Sequence, residues 1–165
     1  ATVGELAAFI MLAILTLLPA VVVVTSRNLV RAAMSLIPSF LGVTGLFVLL
    51  QAEFVAGIQI LIYAGAIAVL ILFVIMLTQG GTGTALRQVN EQRLVGMLVA
   101  GALTIALLGL VLRTPWPLVA GTLPRSNVAA VGSAFLTNFI LAFEISSLVL
   151  LVSLVGALVI ARREQ

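Results

Sequence analysis

The sequence predicts an all-α membrane protein that crosses the bilayer with five helices. Of its 165 residues, 63% are apolar and 8% are charged, whereas soluble domains are about 45–50% apolar and about 25% charged. One soluble core of this size cannot cover so much apolar surface, so most of the chain must contact lipid. The apolar residues form long continuous stretches, whereas a β-barrel needs alternating segments of about 10 residues, so helices are predicted.

Five apolar stretches are close to the length of about 20 residues that a helix needs to cross the hydrocarbon core. We place them at residues 6–24, 32–50, 54–77, 94–112 and 137–160, in a single membrane domain that covers residues 1–165. The start of the fifth stretch is the least defined and lies between Val131 and Phe139. The first stretch is unlike a signal peptide, because the only charge before it is Glu5 where a signal peptide has cations.

The arginines are distributed unequally between the two sides of the membrane. Six lie in the first loop, the third loop and the carboxyl-terminal tail, and two lie in the other connections: Arg27, Arg31, Arg87, Arg93, Arg162 and Arg163, against Arg113 and Arg125. The positive-inside rule therefore predicts an amino terminus outside and a carboxyl terminus in the cytoplasm. An odd number of helices also requires the termini to lie on opposite sides.

The missing residue types exclude several kinds of site. The chain contains no Cys, His, Asp or Lys. It cannot provide thiolates for zinc or iron–sulfur clusters, a histidine for haem, or the residues of a Ser-His-Asp or Cys-His triad. The net charge of +3 comes from arginines spread over several loops, which do not form a nucleic-acid-binding patch. We therefore expect no catalytic residue, metal site or cofactor-binding site in this chain, and no nucleic-acid partner.

Few polar residues lie inside the apolar stretches, and these are functional candidates because polar groups are costly in lipid. Glu144 lies 18 residues before Arg162, or about 27 Å of helix, near the outer edge of the hydrocarbon. Two explanations are open: an interfacial acid, or a protonatable group that faces a neighbouring helix or a water pocket. Ser146 and Ser147 follow it and could form hydrogen bonds across a helix interface.

The third stretch, EFVAGIQILIYAGAIAVLILFVIML, is the most informative. Gln59 and Tyr63 are four residues apart and both need hydrogen-bond partners in lipid. The small residues Ala64, Gly65 and Ala66, with Ala68, most often indicate close helix packing. A helical glycine also costs about 1 kcal/mol relative to alanine, so this segment is a weak point where a π-bulge could form.

Three segments of the chain resemble one known family. The run FVAGIQILIYAGAIAVLILFVIML resembles the third-helix signature of the J subunit of proton-pumping NADH:quinone oxidoreductase (complex I), the homologue of mitochondrial NADH dehydrogenase subunit 6. The run FILAFEISSLVLLVSLVGALVIARRE resembles the fifth helix and basic tail of that family. The run RNLVRAAMSLIPSFLGVTGLFVLL is similar to its second helix, less specifically.

This resemblance implies a non-catalytic membrane-arm subunit that helps to couple quinone reduction to proton pumping. In the family, the third helix carries a π-bulge that switches between π and α forms and connects or breaks a water path. By resemblance, that coupling role falls on Tyr63, Ala64, Gly65, Ala66, Ile67, Ala68 and Val69. Some members have Glu where this sequence has Gln59, so we expect no titrating acid on the third helix. FMN and the iron–sulfur clusters belong to other subunits of a complex that also uses a quinone.

The resemblance also implies partners and a location. The expected partners are the small K-type, quinone-site H-type and antiporter-like subunits, in a bacterial inner membrane, with thylakoid-type and organellar membranes left open. Two alternatives remain: a subunit of a ferredoxin-dependent photosynthetic relative, or an independent small transporter or channel. A transporter would need several polar groups on a shared path at the bilayer midplane, and this chain has few there. A structural anchor without a gating role is a third possibility.

Overall fold

The computed structural model describes residues 3–78, 93–116 and 127–162. This part of the chain is helical, without strands, and five of its helices are long and apolar enough to cross a membrane. The helices are α1 (Val3–Thr25), α2 (Leu29–Leu49), α3 (Glu53–Thr78), α4 (Arg93–Arg113), α5 (Asn127–Leu136) and α6 (Ile140–Ala161). The predicted fold class, an all-α protein with five membrane-spanning helices, is confirmed.

A short helix and a turn precede the last span. The amide of Phe139 donates to the carbonyl of Ala134 at 2.9 Å, and the hydroxyl of Thr137 donates to the carbonyl of Ser133 at 2.8 Å. These hydrogen bonds close a turn over residues 137–139, so α6 begins at Ile140. The expected start at residue 137 falls inside this turn, and the separate helix α5 was not distinguished from the sequence.

Helices α1 and α2 pack so closely that their backbones nearly touch. A Cβ atom added to Gly42 would lie 2.7 Å from the backbone nitrogen of Thr16 and 3.0 Å from the carbonyl carbon of Leu15. The buried hydroxyl of Ser39 donates to the carbonyl of Thr16 at 3.0 Å. In lipid, such contacts between small residues and interhelical hydrogen bonds hold helices together, because neighbouring lipid tails are as apolar as the helices themselves.

The turn between α2 and α3 reverses the chain within a few residues. Gln51 adopts a φ of 58°, in the left-handed region that residues other than glycine rarely adopt. The amide of Gln51 donates to the carbonyl of Val48, and the amide of Ala52 donates to the carbonyl of Phe47, each at 2.9 Å. This pair of hydrogen bonds is the Schellman motif, which ends a helix. The carbonyl of Gln51 also accepts from the side chain of Asn127 at 3.4 Å.

Helices α5 and α6 join this bundle through three aromatic rings. The ring of Phe135 in α5 meets the edge of Phe54 in α3, with centroids 6.0 Å apart. The same ring stacks on Phe143 in α6, also with centroids 6.0 Å apart. All described residues of α6 are exposed in the isolated chain.

Helix α4 lies in a second compact unit, which covers residues 80–122. All 21 of its residues are helical. The indole N–H of Trp116, just beyond the end of the helix, donates to the carbonyl of Val111 at 3.0 Å. A tryptophan at this position suits the interface between membrane and water, where its ring sits at headgroup level.

Candidate functional site: a π-helical segment in the third helix

Helix α3 changes its helical form twice along its length. It is α-helical over Glu53–Ile58, π-helical over Gln59–Ile67 and α-helical again over Ala68–Thr78. At the end of the π segment, the amide of Ala68 donates to the carbonyl of Tyr63, five residues earlier, which is the π spacing. The π irregularity that the resemblance implied for the third helix is present, and it spans nine residues.

Gly65 explains in part why the π form is stable here. A glycine disfavours the α-helix by about 1 kcal/mol relative to alanine. A Cβ atom at Gly65 would lie 3.2 Å from the carbonyl oxygen of Ile60. That carbonyl is five residues earlier, at the position from which a π-helix accepts its hydrogen bond, so a side chain at residue 65 crowds the π form.

The π segment places Gln59 and Ala68 on the same side of α3. Gln59 is 8% exposed and Ala68 is 0% exposed, and α2 packs against both the π segment and the α-helix after it. Nine residues of α-helix, at 3.6 residues per turn, make two and a half turns and leave the two residues on opposite sides. A π-helix has about 4.4 residues per turn, so nine residues make about two turns. Both residues therefore face α2 only because the helix is locally π.

The polar side chains at the start of this segment lie beside α2. The ring of Tyr63 meets the edge of Phe40, with centroids 5.7 Å apart, and remains half exposed. Because α2 and α3 are antiparallel, one turn further from Phe40 and Tyr63 places Thr44 and Gln59 at a similar depth. The hydroxyl of buried Thr44 donates to the carbonyl of Phe40 at 3.0 Å. The side chain of Gln59 forms no hydrogen bond within the described residues, although the residue is only 8% exposed. No buried side-chain nitrogen or oxygen in that part of the chain lacks a partner, so the amide group of Gln59 keeps some accessible surface.

The other expected coupling residues point in several directions. Ala64 is half-buried, and the remaining members are exposed in the isolated chain: Gly65, Ala66, Ile67 and Val69. Apart from the side that faces α2, the π segment is therefore free to contact neighbouring subunits or lipid.

The polar residues of the last span are not part of this site. Glu144, Ser146 and Ser147 lie on α6, which packs against α5 and, within the described part of the chain, not against the π segment. The hydroxyl of Ser146 donates to the carbonyl of Ala142 at 2.8 Å, and that of Ser147 donates to the carbonyl of Glu144 at 2.7 Å. Both hydroxyls thus bond within their own helix.

Three polar or small residues of α2 are buried in the structure and were not singled out from the sequence. Ser39, Gly42 and Thr44 are buried against the neighbouring helices. For Ser39 and Gly42 the spacing was a usable signal, because positions three apart lie on one face of a helix. For Gln59, the cost of a polar group in lipid was the signal that the side chain would be sheltered from lipid.

The residues of this chain do not fit an iron–sulfur cluster. The sequence contains no Cys and no His, which are the residues that hold iron–sulfur clusters. Within residues 3–78, 93–116 and 127–162, no three acidic side chains lie close enough together to hold a metal ion.

The fold and the site together define a multi-pass membrane protein with a π-helical third span. A family model described as "NADH-ubiquinone/plastoquinone oxidoreductase chain 6" matches residues 19–160. The chain therefore belongs to this family, as the resemblance of its third and fifth helices implied.

Individual relatives are similar to this chain over nearly its whole length. "F(420)H(2) dehydrogenase subunit J" of Methanosarcina mazei is 39% identical over 168 residues, which cover 99% of this chain and 96% of that protein. "NAD(P)H-quinone oxidoreductase chain 6" of Leptolyngbya boryana is 39% identical over 163 residues, which cover 97% and 81%. The corresponding protein of Synechocystis is 37% identical over 163 residues, which cover 94% and 80%.

Proposed function

We propose that this membrane subunit couples quinone reduction to proton pumping in a complex of the NADH:quinone oxidoreductase type, by a change of α3 between π and α forms. One observation carries the proposal: the nine-residue π segment holds Gln59 and Ala68 on the same side of the helix, against α2. The family membership supports the assignment to this class of complex.

A change from π to α would rotate one end of α3 relative to the other by nearly half a turn. The two ends would then present Gln59 and Ala68 on opposite sides. One of these residues must leave α2, and other side chains of that end move with it. Helix α3 is therefore a bistable element that events elsewhere in the complex could bias, by binding one form better than the other.

The role of the chain is to position polar and apolar groups beside a proton path, without transferring electrons. Gln59 cannot titrate, so protons pass through water, Tyr63 or acids of neighbouring subunits. Rotation of apolar side chains into this path would interrupt a chain of water molecules, and their withdrawal would restore it. FMN, iron–sulfur clusters and quinone supply the redox chemistry of such a complex in its other subunits.

We propose NADH as the electron donor of the complex. A second candidate is a photosynthetic relative that takes electrons from ferredoxin, because several relatives are cyanobacterial or chloroplastic proteins. The purified complex should reduce quinone with NADH. If the complex reduces quinone with reduced ferredoxin or reduced F420 but not with NADH, that compound is the donor. The role proposed for α3 would stay the same.

We also propose that the amino terminus lies outside and that the K-type, H-type and antiporter-like subunits are the neighbours. The arginine distribution supports this orientation. Because the chain has no cysteine, Ser26→Cys and Thr114→Cys each introduce a single thiol. In intact cells, a membrane-impermeant maleimide should label residue 114 and leave residue 26 unlabelled; the reverse pattern would contradict the orientation.

Two substitutions at Gly65 test the coupling role. Gly65→Ala removes the penalty that glycine imposes on the α form and crowds the carbonyl of Ile60 in the π form. A bias of about 1 kcal/mol shifts the equilibrium about fivefold toward α. We expect an assembled complex with reduced quinone reductase activity and reduced pumping, and a larger loss of both in Gly65→Leu.

Gly57→Ala is the matched control for these variants. Gly57 lies in the α-helical start of the same helix, and an added Cβ atom would meet nothing within 4 Å in the described chain. This variant should keep full activity. An assembled Gly65→Leu complex with full quinone reduction and full pumping would show that the segment does not gate.

A further inference from the structure

Within the described residues, helix α6 contacts the rest of its unit near its amino-terminal end. Phe143 stacks on Phe135 close to the start of the helix, and every described residue of α6 is exposed. The helix is 22 residues long and apolar enough to cross the membrane. Most of its length is therefore left uncovered by the described residues of its own unit.

The polar groups of α6 differ in whether they have hydrogen-bond partners. The hydroxyls of Ser146, Ser147 and Ser153 each donate to a backbone carbonyl of the same helix, at 2.7–2.8 Å. The carboxyl group of Glu144 has no partner within the described residues. A carboxyl group in an apolar span is costly without a hydrogen-bonding partner, whichever protonation state it has.

The helical spacing places Glu144 on a face of large apolar side chains. Residues 4, 7, 11 and 14 positions further along lie beneath it on the same face: Leu148, Leu151, Val155 and Leu158. Ser146, Ser153 and Gly156 lie on the other side of the helix. Phe143 is turned about 100° from Glu144, so the aromatic contact with α5 does not cover the carboxyl group.

We propose that a transmembrane helix of another subunit of the complex docks on this face and donates a hydrogen bond to Glu144. Charge complementarity favours a cationic donor, and arginine suits the site best because its planar guanidinium binds both oxygens of a carboxylate. The large side chains below Glu144 provide the packing surface for the same helix. This inference rests on the assembly into a multi-subunit complex but does not depend on the π–α change of α3.

Photo-crosslinking in the intact complex tests this proposal. A benzophenone amino acid at residue 148 reports on the face of Glu144, and the same group at residue 153 reports on the opposite side. The crosslink from residue 148 should join one membrane helix that carries Arg, Lys or another donor within one turn of the attachment point. Attachment to lipid alone, to a helix without such a donor, or to α4 of this chain would overturn the proposal.

Variants of Glu144 test the hydrogen bond itself. Glu144→Leu should lower the yield of the crosslink from residue 148 about tenfold, a change that corresponds to about 1.4 kcal/mol. Glu144→Gln keeps a hydrogen-bond acceptor and should lower the crosslink yield less than Glu144→Leu. The yields of these two variants can be compared even where Glu144→Leu reduces assembly. Ser146→Ala is the matched control and should not change the yield, because its hydroxyl bonds within α6.

Two results would contradict the proposal directly. An unchanged yield in assembled Glu144→Leu complex would mean that the carboxyl group faces water. If Arg125→Gln lowers the crosslink yield as much as Glu144→Leu does, the loop of this chain that contains Arg125 supplies the donor. Neither result bears on the coupling role of α3, which is measured by quinone reduction and pumping in the Gly65 variants.

Discussion

Helices α2 and α6 are both apolar membrane spans with small residues, but they use those residues differently. In α2, a Cβ atom at Gly42 would collide with the backbone of α1, and one at Gly45 would collide with Leu12. In α6, a Cβ atom at Gly156 would meet nothing within 4 Å. The composition of a span therefore does not reveal whether its small residues serve the packing of the same chain or remain available to other subunits.

Helix α3 is packed against its own chain on one side, like α2, and exposed on the other, like α6. One side is buried against α2 at Gln59 and Ala68, and the opposite side is exposed. A helix that is packed on one side has room to rotate toward its free side, which a fully enclosed helix lacks. The packed pair of α1 and α2 thus provides a fixed surface against which α3 can adopt two arrangements.

The largest expected effect comes from filling the contact between α1 and α2. The Gly42→Ala side chain would lie 2.7 Å from the backbone nitrogen of Thr16, and backbone cannot move aside cheaply. We expect a destabilisation of about 1–3 kcal/mol, as for other overpacked sites, measured as a lower melting temperature of the complex. Gly156→Ala should leave that temperature unchanged. Equal effects of the two substitutions on the melting temperature would show that Gly42 in α2 and Gly156 in α6 do not differ in their packing.

A smaller effect, a stabilisation of the chain, is expected from a substitution at the turn between α2 and α3. Gln51 has a positive φ that costs a non-glycine residue roughly 1–2 kcal/mol, and glycine avoids this cost but loses more entropy on folding. Gln51→Gly should therefore stabilise the chain by about 0.5–1 kcal/mol in the same melting assay. Gln51→Ala keeps the strained φ and serves as the control. A gain with alanine as large as with glycine would exclude backbone strain as the cause.

The smallest effect is expected from one interhelical hydrogen bond. The hydroxyl of Ser39 donates to the carbonyl of Thr16 in α1, whereas that of Ser35 donates to the carbonyl of Arg31 in its own helix. Polar contacts between membrane helices are worth about 0.6 kcal/mol on average. Ser39→Ala should lower the melting temperature slightly, and Ser35→Ala should not. If only Ser35→Ala lowers the melting temperature, the hydrogen bond from Ser39 to Thr16 does not stabilise the helix pair.

Much of the architecture could be predicted from the sequence because lipid imposes simple rules. Five continuous apolar stretches correspond to five spans, since every backbone group in the membrane must be satisfied within a helix. The short helix α5 was missed because it has only ten residues and runs directly into the turn before α6. The left-handed residue at the α2–α3 turn was also hidden, because Gln51 occupies a position where glycine is the usual signal.

The site was predicted in its location but not in its geometry. Gly65 beside Tyr63 indicated a weak point in α3, and the resemblance implied a π form there. The common burial of Gln59 and Ala68 could not be predicted, because helical spacing at 3.6 residues per turn places them on opposite sides. Their arrangement follows only once the π segment is known to cover nine residues.

The most direct test of the central claim is to determine the structure of the whole complex by electron cryomicroscopy, at rest and during turnover. We predict that one state keeps the π segment with Gln59 and Ala68 both against α2. In the other state α3 should be α-helical throughout, with one of these residues turned away from α2. If Gln59 and Ala68 face α2 in both states, the helix does not switch and the coupling role proposed for it is wrong.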